Sequence, residues 1–267
     1  MKSIEILNLL CADMPPSLAM DWDNVGLILG RREKEVNKVM LALDLSSELL
    51  KEAIEKKVDL IITHHPLIFS PLKKITDEEV IGNKIIEILR EDMAYIAMHT
   101  NYDVAESCMA DIAAERIGLK GGPLEPTFSF EEEGRMKELG IGKVGELEGE
   151  YSIEELAKKV KTAFGLDFVR IFGAGLTKGR IKRAAISPGS GKGMYKWAKK
   201  AGAQVLITGD ITHHEALDAL EEGISIIDAG HYGLEHIFIE DMKKRIGKLN
   251  PSIEIYTEEV NFPDMIL

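Results

Sequence analysis

The stretch Leu60-Ile61-Ile62-Thr63-His64-His65-Pro66-Leu67 carries an apolar strand straight into two adjacent histidines. Pro66 stops that strand, because it brings no N–H to a sheet ladder. A parallel strand that ends in polar residues puts them at the carboxyl edge of its sheet, where α/β proteins bind ligands. All seven histidines fall in four short stretches, 64–65, 99, 213–214, and 231 with 236. Each stretch lies at or just after an apolar run. One histidine in such a place reads as a turn cap in a buried strand. The clustering of all seven points instead to a metal site.

Two further stretches supply carboxylates. His99-Thr100-Asn101-Tyr102-Asp103 follows a second apolar strand, and Asp228-Ala229-Gly230-His231-Tyr232-Gly233-Leu234-Glu235-His236 opens the last helix. His231 and Glu235 are four apart, so a helix starting there projects both from one side. The competing reading is a helix N-terminus with a favourable glutamate in its first turn. Five candidate ligands result: His64, His65, Asp103, His231 and Glu235. Neutral imidazole and carboxylate suit Zn, Fe, Mn, Co or Ni, and the lack of paired cysteines argues against a structural zinc knuckle. Adjacent histidines at a strand end can diverge onto two ions, and a glutamate can bridge them. Ions paired in this way, about 3.5–4 Å apart, activate water and stabilise a charged transition state. One ion with a spare ligand is the alternative. His99, His214 and His236 stand as reserve ligands or proton carriers.

Two neighbouring features have competing readings. Asp210, in Thr208-Gly209-Asp210, is either an acid supporting the site or the cap of the following helix, with the cap preferred. Ser187-Pro188-Gly189-Ser190-Gly191-Lys192-Gly193 follows a strand and opens a helix, as a phosphate cradle does. It lacks the glycine spacing of a Walker A loop and the Ser or Thr after the lysine. A tight glycine turn is the preferred reading.

The elements that must position these residues can be taken in order. Residues 3–13 have the apolar spacing of a helix, with Ile4, Leu7 and Cys11 on one face. A turn rich in Asp and Asn at 21–27 leads into a short strand at Ile28, Leu29 and Gly30. Strands at 39–43, 59–63 and 93–98 alternate with helices at 47–57 and 78–91, with Asp44, Ser46 and Ser47 as candidate caps. A helix at 107–117 closes the first half. Residues 118–150 break the rhythm: Gly121, Gly122, Pro123 and Pro126 mark turns, and Glu131, Glu132 and Glu133 form an acidic run, so a domain junction is placed near 126. A helix at 152–163 opens on Ser152, with Glu155 completing a capping box, and a strand at 168–172 follows. The first half's order then repeats: strand 181–186, helix 191–201, strand 205–208, helix 213–222, strand 224–227. This predicts two similar α/β units. A helix at 232–248 and an edge strand at 253–256 end the chain.

Composition sets the bounds. The 267 residues, 45% hydrophobic, suit one large or two modest domains with a real core. A net charge of −12 disfavours broad nucleic-acid binding. The Lys192, Lys196, Lys199 and Lys200 cluster reads as a solvated helix face. No apolar run approaches membrane-spanning length, and the N-terminus reads as an amphipathic helix, not a signal peptide. Cys11 and Cys108 are far apart, which suits free thiols in a reducing compartment and predicts a cytoplasmic protein.

Trp22-Asp23-Asn24-Val25-Gly26-Leu27, Thr63-His64-His65-Pro66-Leu67, His99-Thr100-Asn101-Tyr102-Asp103, Thr208-Gly209-Asp210 and Gly230-His231-Tyr232-Gly233-Leu234-Glu235 occur in this order. Together they resemble the NIF-three-like family, commonly labelled "GTP cyclohydrolase 1 type 2 homolog", over nearly the whole chain. The resemblance implies a NIF-three-like fold of two similar three-layer α/β domains. The first would comprise 1–126 plus 232–267, through a returning C-terminal helix and strand, and the second 127–231. It implies a dinuclear metal site on His64, His65, Asp103, His231 and Glu235, and a toroidal homohexamer with sites facing an inner cavity. It also implies a metal-dependent hydrolase of a nucleotide or related small molecule, with activated water opening the guanine ring of GTP at C8 and releasing formate. Some members carry an inserted middle domain, and a junction this short resembles the form without it. No guanine-reading motif is evident. Two other roles compete: a metal-handling or cofactor-assembly protein without turnover, and a ring-shaped nucleic-acid-binding or interaction protein, against which the acidic balance weighs.

Overall fold

The computed structural model describes residues 1–132, 134–173, 175 and 179–260. Glu133 of the acidic run and the last seven residues of the expected first domain lie outside the described residues. In chain order the strands are β1 (Gly26–Leu29), β2 (Lys38–Ala42), β3 (Leu60–Thr63), β4 (Ala94–Ala97), β5 (Leu119–Glu132), β6 (Arg135–Tyr151), β7 (Arg170–Phe172), β8 (Ile181–Ser190), β9 (Val205–Gly209), β10 (Ser225–Asp228) and β11 (Glu254–Thr257). Residue contacts group the chain into two compact α/β units. One holds Met1–Tyr102 and the described residues from Phe238 onward, and the other holds Asp103–Ile237.

The first unit is a five-stranded sheet in the order β1-β4-β3-β2-β11. β2, β3, β4 and β11 run parallel, and β1 pairs antiparallel with β4. Every residue of β3 and β4 is buried, as expected of parallel strands covered on both faces, whose sequences read as continuous apolar runs. Met40, Ile61 and Tyr95 pack with Leu49, Leu50, Ala53 and Ile88 from the helices Ser47–Glu55 and Val80–Arg90. Val39, Leu41, Leu60, Ile62 and Ile96 alternate with them and are equally buried.

The second unit is a six-stranded sheet in the order β5-β6-β8-β9-β10-β7. β8, β9 and β10 are parallel, and β7 pairs antiparallel with β10. The repeated element order is therefore a repeated topology: an antiparallel strand, then three parallel ones joined through helices, in each unit. The helix Met109–Arg116 packs on β6 and β8. It therefore belongs with the second sheet, and the expected junction near 126 falls inside the second unit.

Residues 118–150 do not form the expected string of turns. They form an antiparallel ribbon, β5 against β6, registered from Leu119–Leu147 to Glu132–Arg135. A Cβ on Gly121 would meet the Val144 carbonyl oxygen at 1.9 Å, so this glycine allows a close cross-strand approach. Pro123 and Pro126 are tolerated because β5 is the edge strand. The last helix also differs from the expected single run. It is two segments, His231–Glu235 and Ile237–Leu249, with the first closing where His236 N–H bonds to the Tyr232 carbonyl.

Candidate metal centre

The first unit presents three histidines at the carboxyl ends of β3 and β4. His64 and His65 leave β3, and His99 follows β4. Their donor atoms lie within 4.8 Å of one another, close enough to hold a metal ion. The tight turn carrying the β3 pair is fixed by buried Tyr95 on the neighbouring strand. Its hydroxyl accepts from Leu67 N–H at 3.0 Å, donates to the His65 carbonyl at 3.0 Å, and meets the Thr63 hydroxyl. Burial pushes the Tyr95 phenol well above its ordinary range, so it stays a neutral donor.

The second unit presents Asp103, on the short helix Thr100–Val104, and the pair His231 and Glu235 after β10. Carboxylate oxygens of Asp103 and Glu235 lie within 4.8 Å of one another. His231 Nε2 is 2.9 Å from Glu235 Oε2, so the four-residue spacing does put them on one side. Two donors that share an ion at about 2.0–2.1 Å are separated by roughly 2.9–3.4 Å, and this pair meets that spacing. Glu235 is buried. Gly189 supplies its space: with φ at +81°, a Cβ there would lie 2.4 Å from Glu235 Oε1. The glycine loop is therefore not a single tight turn: its residues 187–190 continue β8, with Gly189 packed under the carboxylate, and the turn follows at 192–193. The Gly193 N–H that would face a phosphate is taken by Glu215 Oε1 at 3.1 Å.

The donor chemistry fits a metal. Each of the four histidines directs Nδ1 at an oxygen. His64 Nδ1 meets the Met98 carbonyl at 2.8 Å, and His65 Nδ1 meets Asp44 at 3.0 Å. His99 Nδ1 meets Asp23 at 2.8 Å, and His231 Nδ1 meets Asp210 at 3.1 Å. An acceptor at Nδ1 holds the proton there and turns Nε2 into the lone-pair donor that metals require. Asp23 is also gripped by the N–H and hydroxyl of Thr100. Burial pushes its carboxyl up, but the bonds from His99 and Thr100 prevail and hold it at about 2.

These supporting acids correct two expectations. Asp210 does not cap the helix His213–Glu221; Thr212 does, and Asp210 turns to His231. Ser46 caps the helix after β2, which frees Asp44 for His65. Asp23 read only as a turn residue. The one signal for all three was an acid near a strand end. His213, His214 and His236 fall in none of the donor groups found among the described residues. In the lysine cluster, Lys199 pairs with Glu222, while Lys196 and Lys200 lie over Tyr195 and Trp197. Among the described residues no helix is long and apolar enough to cross a membrane.

Comparison with known proteins agrees with this architecture. The family model described as Duf34/NIF3 (NGG1p interacting factor 3) matches residues 1–262. A "GTP cyclohydrolase 1 type 2 homolog" of Clostridium perfringens is 36% identical over 265 residues, covering 98% of each chain. The relative of that name from Staphylococcus aureus strain Mu50, 29% identical, aligns over 363 positions and so carries segments this 267-residue chain lacks. Among solved structures, Staphylococcus aureus protein SA1388 superposes with a TM-score of 0.85 at 31% identity, covering 100% of this chain and 99% of that one. Reduced HcgD from Methanocaldococcus jannaschii gives 0.82 at 29% identity, with 98% of each chain covered. With its motifs in order, its two-unit α/β fold and a family match along almost its whole length, this chain belongs to the Duf34/NIF3 family.

Proposed function

We propose that His64, His65, Asp103, His231 and Glu235 together bind two divalent ions, and that the protein is a metal-dependent hydrolase of a nucleotide or related small molecule. The observation that carries this reading is the Nδ1 pairing of the histidines, which readies Nε2 for a metal. Bound divalent ions supply an activated water and neutralise charge developing in the transition state. The chain's own contribution is orientation: Tyr95 holds the turn of His64 and His65, Asp44 and Asp210 fix imidazole tautomers, and Gly189 leaves space for Glu235. Relatives named "GTP cyclohydrolase 1 type 2 homolog" make GTP the first substrate to test. We further propose a cytoplasmic homohexamer, to be checked by light scattering of the purified chain and by cell fractionation.

The test is formate release from GTP by protein loaded separately with Zn, Mn, Fe or Co, with metal content measured alongside. Turnover is expected with at least one metal. Glu235→Ala is expected to lose both turnover and metal without unfolding. His64→Ala and His65→Ala are expected to lower metal occupancy, each by its own share. An unchanged metal-to-protein ratio in any of the three variants removes that residue from the ligand set. Fully loaded protein with no turnover on any nucleotide moves the reading to metal handling.

A further inference from the structure

Trp22 and Phe69 are large aromatic side chains with 59% and 56% of their surface exposed. They come from two different loops, and their ring centroids are 5.6 Å apart at a 46° tilt. Single exposed apolar residues are ordinary on protein surfaces, but two aromatics held against each other are less so. Both also face one histidine ring: His99 lies 6.0 Å from Trp22 and 6.4 Å from Phe69, centroid to centroid. His99 in turn lies 5.2 Å and 5.5 Å from His64 and His65. The aromatic pair therefore stands one ring away from the donor cluster of the first unit.

The loops are cross-linked beneath the rings. Asn24 Nδ2 donates to the Ile68 carbonyl at 2.7 Å, joining the residues beside Trp22 to those beside Phe69. Asp23, between Trp22 and Asn24, is fixed by His99 and Thr100. Both aromatic side chains are thus carried on pinned backbone, so little ordering remains to be done on binding. A ring inserted between two others needs centroids about 7 Å apart, and 5.6 Å is too close. The pair offers an outer stacking face instead of a clamp.

From this placement we propose that Trp22 and Phe69 form the stacking platform for a planar heteroaromatic ring of the substrate, setting its edge toward the histidines of the metal centre. The assignment rests on the proposed reading of those histidines as metal ligands. It narrows the substrate class to molecules with a flat ring, whose π-face any aromatic platform accepts without a dedicated hydrogen-bond code. That agrees with a chain in which no base-reading motif is evident.

The chain has two tryptophans, Trp22 and Trp197, so Trp197→Phe leaves Trp22 as the sole reporter. In full-length, metal-loaded protein, GMP is expected to quench its fluorescence saturably, and ribose 5-phosphate, which has the sugar and phosphate but no base, is not. Measured by calorimetry, Trp22→Ala and Phe69→Ala are each expected to weaken GMP binding by about 5- to 150-fold, the usual effect of losing a stacking partner. Both are expected to leave metal content and thermal midpoint unchanged. Equal binding of GMP and ribose 5-phosphate, or variants that bind GMP like the parent, would overturn the platform. So would a change in assembly mass in either variant, which would assign the pair to a contact between copies. Metal content separates the two readings. Full metal loading without ring-dependent quenching refutes the platform alone. Ring-dependent binding in protein that takes up no metal refutes the metal reading and leaves the stacking face standing.

Discussion

The Asp210–His231 contact gives the sharpest test of the metal centre. Asp210 stands at φ +55°, a left-handed conformation that Asn and Asp tolerate and most residues do not. Its carboxylate lies 3.1 Å from His231 Nδ1 and 3.4 Å from the His231 backbone nitrogen. Asp210→Asn keeps the backbone preference and an acceptor oxygen but removes the charge that raises imidazole basicity. Loss of such a supporting partner lowers metal affinity by about 10- to 100-fold, or about 1.4–2.8 kcal/mol. Folding stability without metal is expected to change by less than about 0.5 kcal/mol, because the Asp210 side chain is 59% exposed and surface ion pairs contribute little. Asp210→Ala removes the same partner and also places alanine in the left-handed region, which costs about 1–2 kcal/mol. Competition against a chelating dye reads the affinity, and urea melts in excess chelator read the stability. The two variants should therefore agree in metal affinity loss and differ in metal-free stability. If Asp210→Asn binds metal as tightly as the parent, Asp210 does not support a ligand. If it destabilises the metal-free chain as much as Asp210→Ala does, the role is structural.

Gly189→Ala is expected to lower metal occupancy and stability together, since its Cβ would lie 2.4 Å from Glu235 Oε1 at a φ of +81°. Strain of this kind costs about 1–3 kcal/mol, read by elemental analysis and thermal melts. Asp23 sets an acid limb. Its carboxyl is held at about 2 in the fold, against an ordinary value of 3.8. It therefore stabilises the fold fully above the unfolded value and loses that contribution as pH falls through the folded one. Asp23→Asn is expected to flatten the rise of stability between about pH 2 and 4, and an unchanged slope would place the titration elsewhere.

The fold was legible where periodicity and punctuation agree. Leu60–Thr63 is wholly apolar until Thr63 and is stopped by Pro66, so both the strand and the histidines at its end could be read. His231 and Glu235 obey a local geometric rule, and their 2.9 Å contact follows from it. The repeated order of strands and helices became a repeated sheet topology, down to the antiparallel strand at one edge of each sheet. The β5–β6 ribbon was illegible because Gly121, Pro123 and Pro126 carry the chemistry of turns. Their tolerance depends on an edge position that only the assembled sheet defines. Asp44, Asp23 and Asp210 were hidden for a different reason. Each has a local use as a cap or turn residue, whereas the histidine it serves lies 21, 76 and 21 residues away.

Charge explains why these acids accompany the ligands, and it yields a final prediction. The proposed ligand set carries two negative charges, on Asp103 and Glu235, against the four positive charges of two divalent ions. Asp44 and Asp210, held to His65 and His231, bring two more and close the balance. Without metal the second unit keeps the Asp103 and Glu235 carboxylates with oxygens within 4.8 Å of one another and Glu235 buried, while Asp210 stays on His231. Like charges so close, one of them shielded from solvent, repel most at low ionic strength. Chelation is therefore expected to lower the thermal midpoint, and to lower it further as salt is reduced. Metal at a hundredfold excess over its dissociation constant stabilises by about 2.7 kcal/mol, which at about 2–4 °C per kcal/mol is a shift easily resolved by calorimetry. If the metal-free and metal-loaded chains melt together at every salt concentration, the carboxylates are not a cation site and the charge argument fails with them.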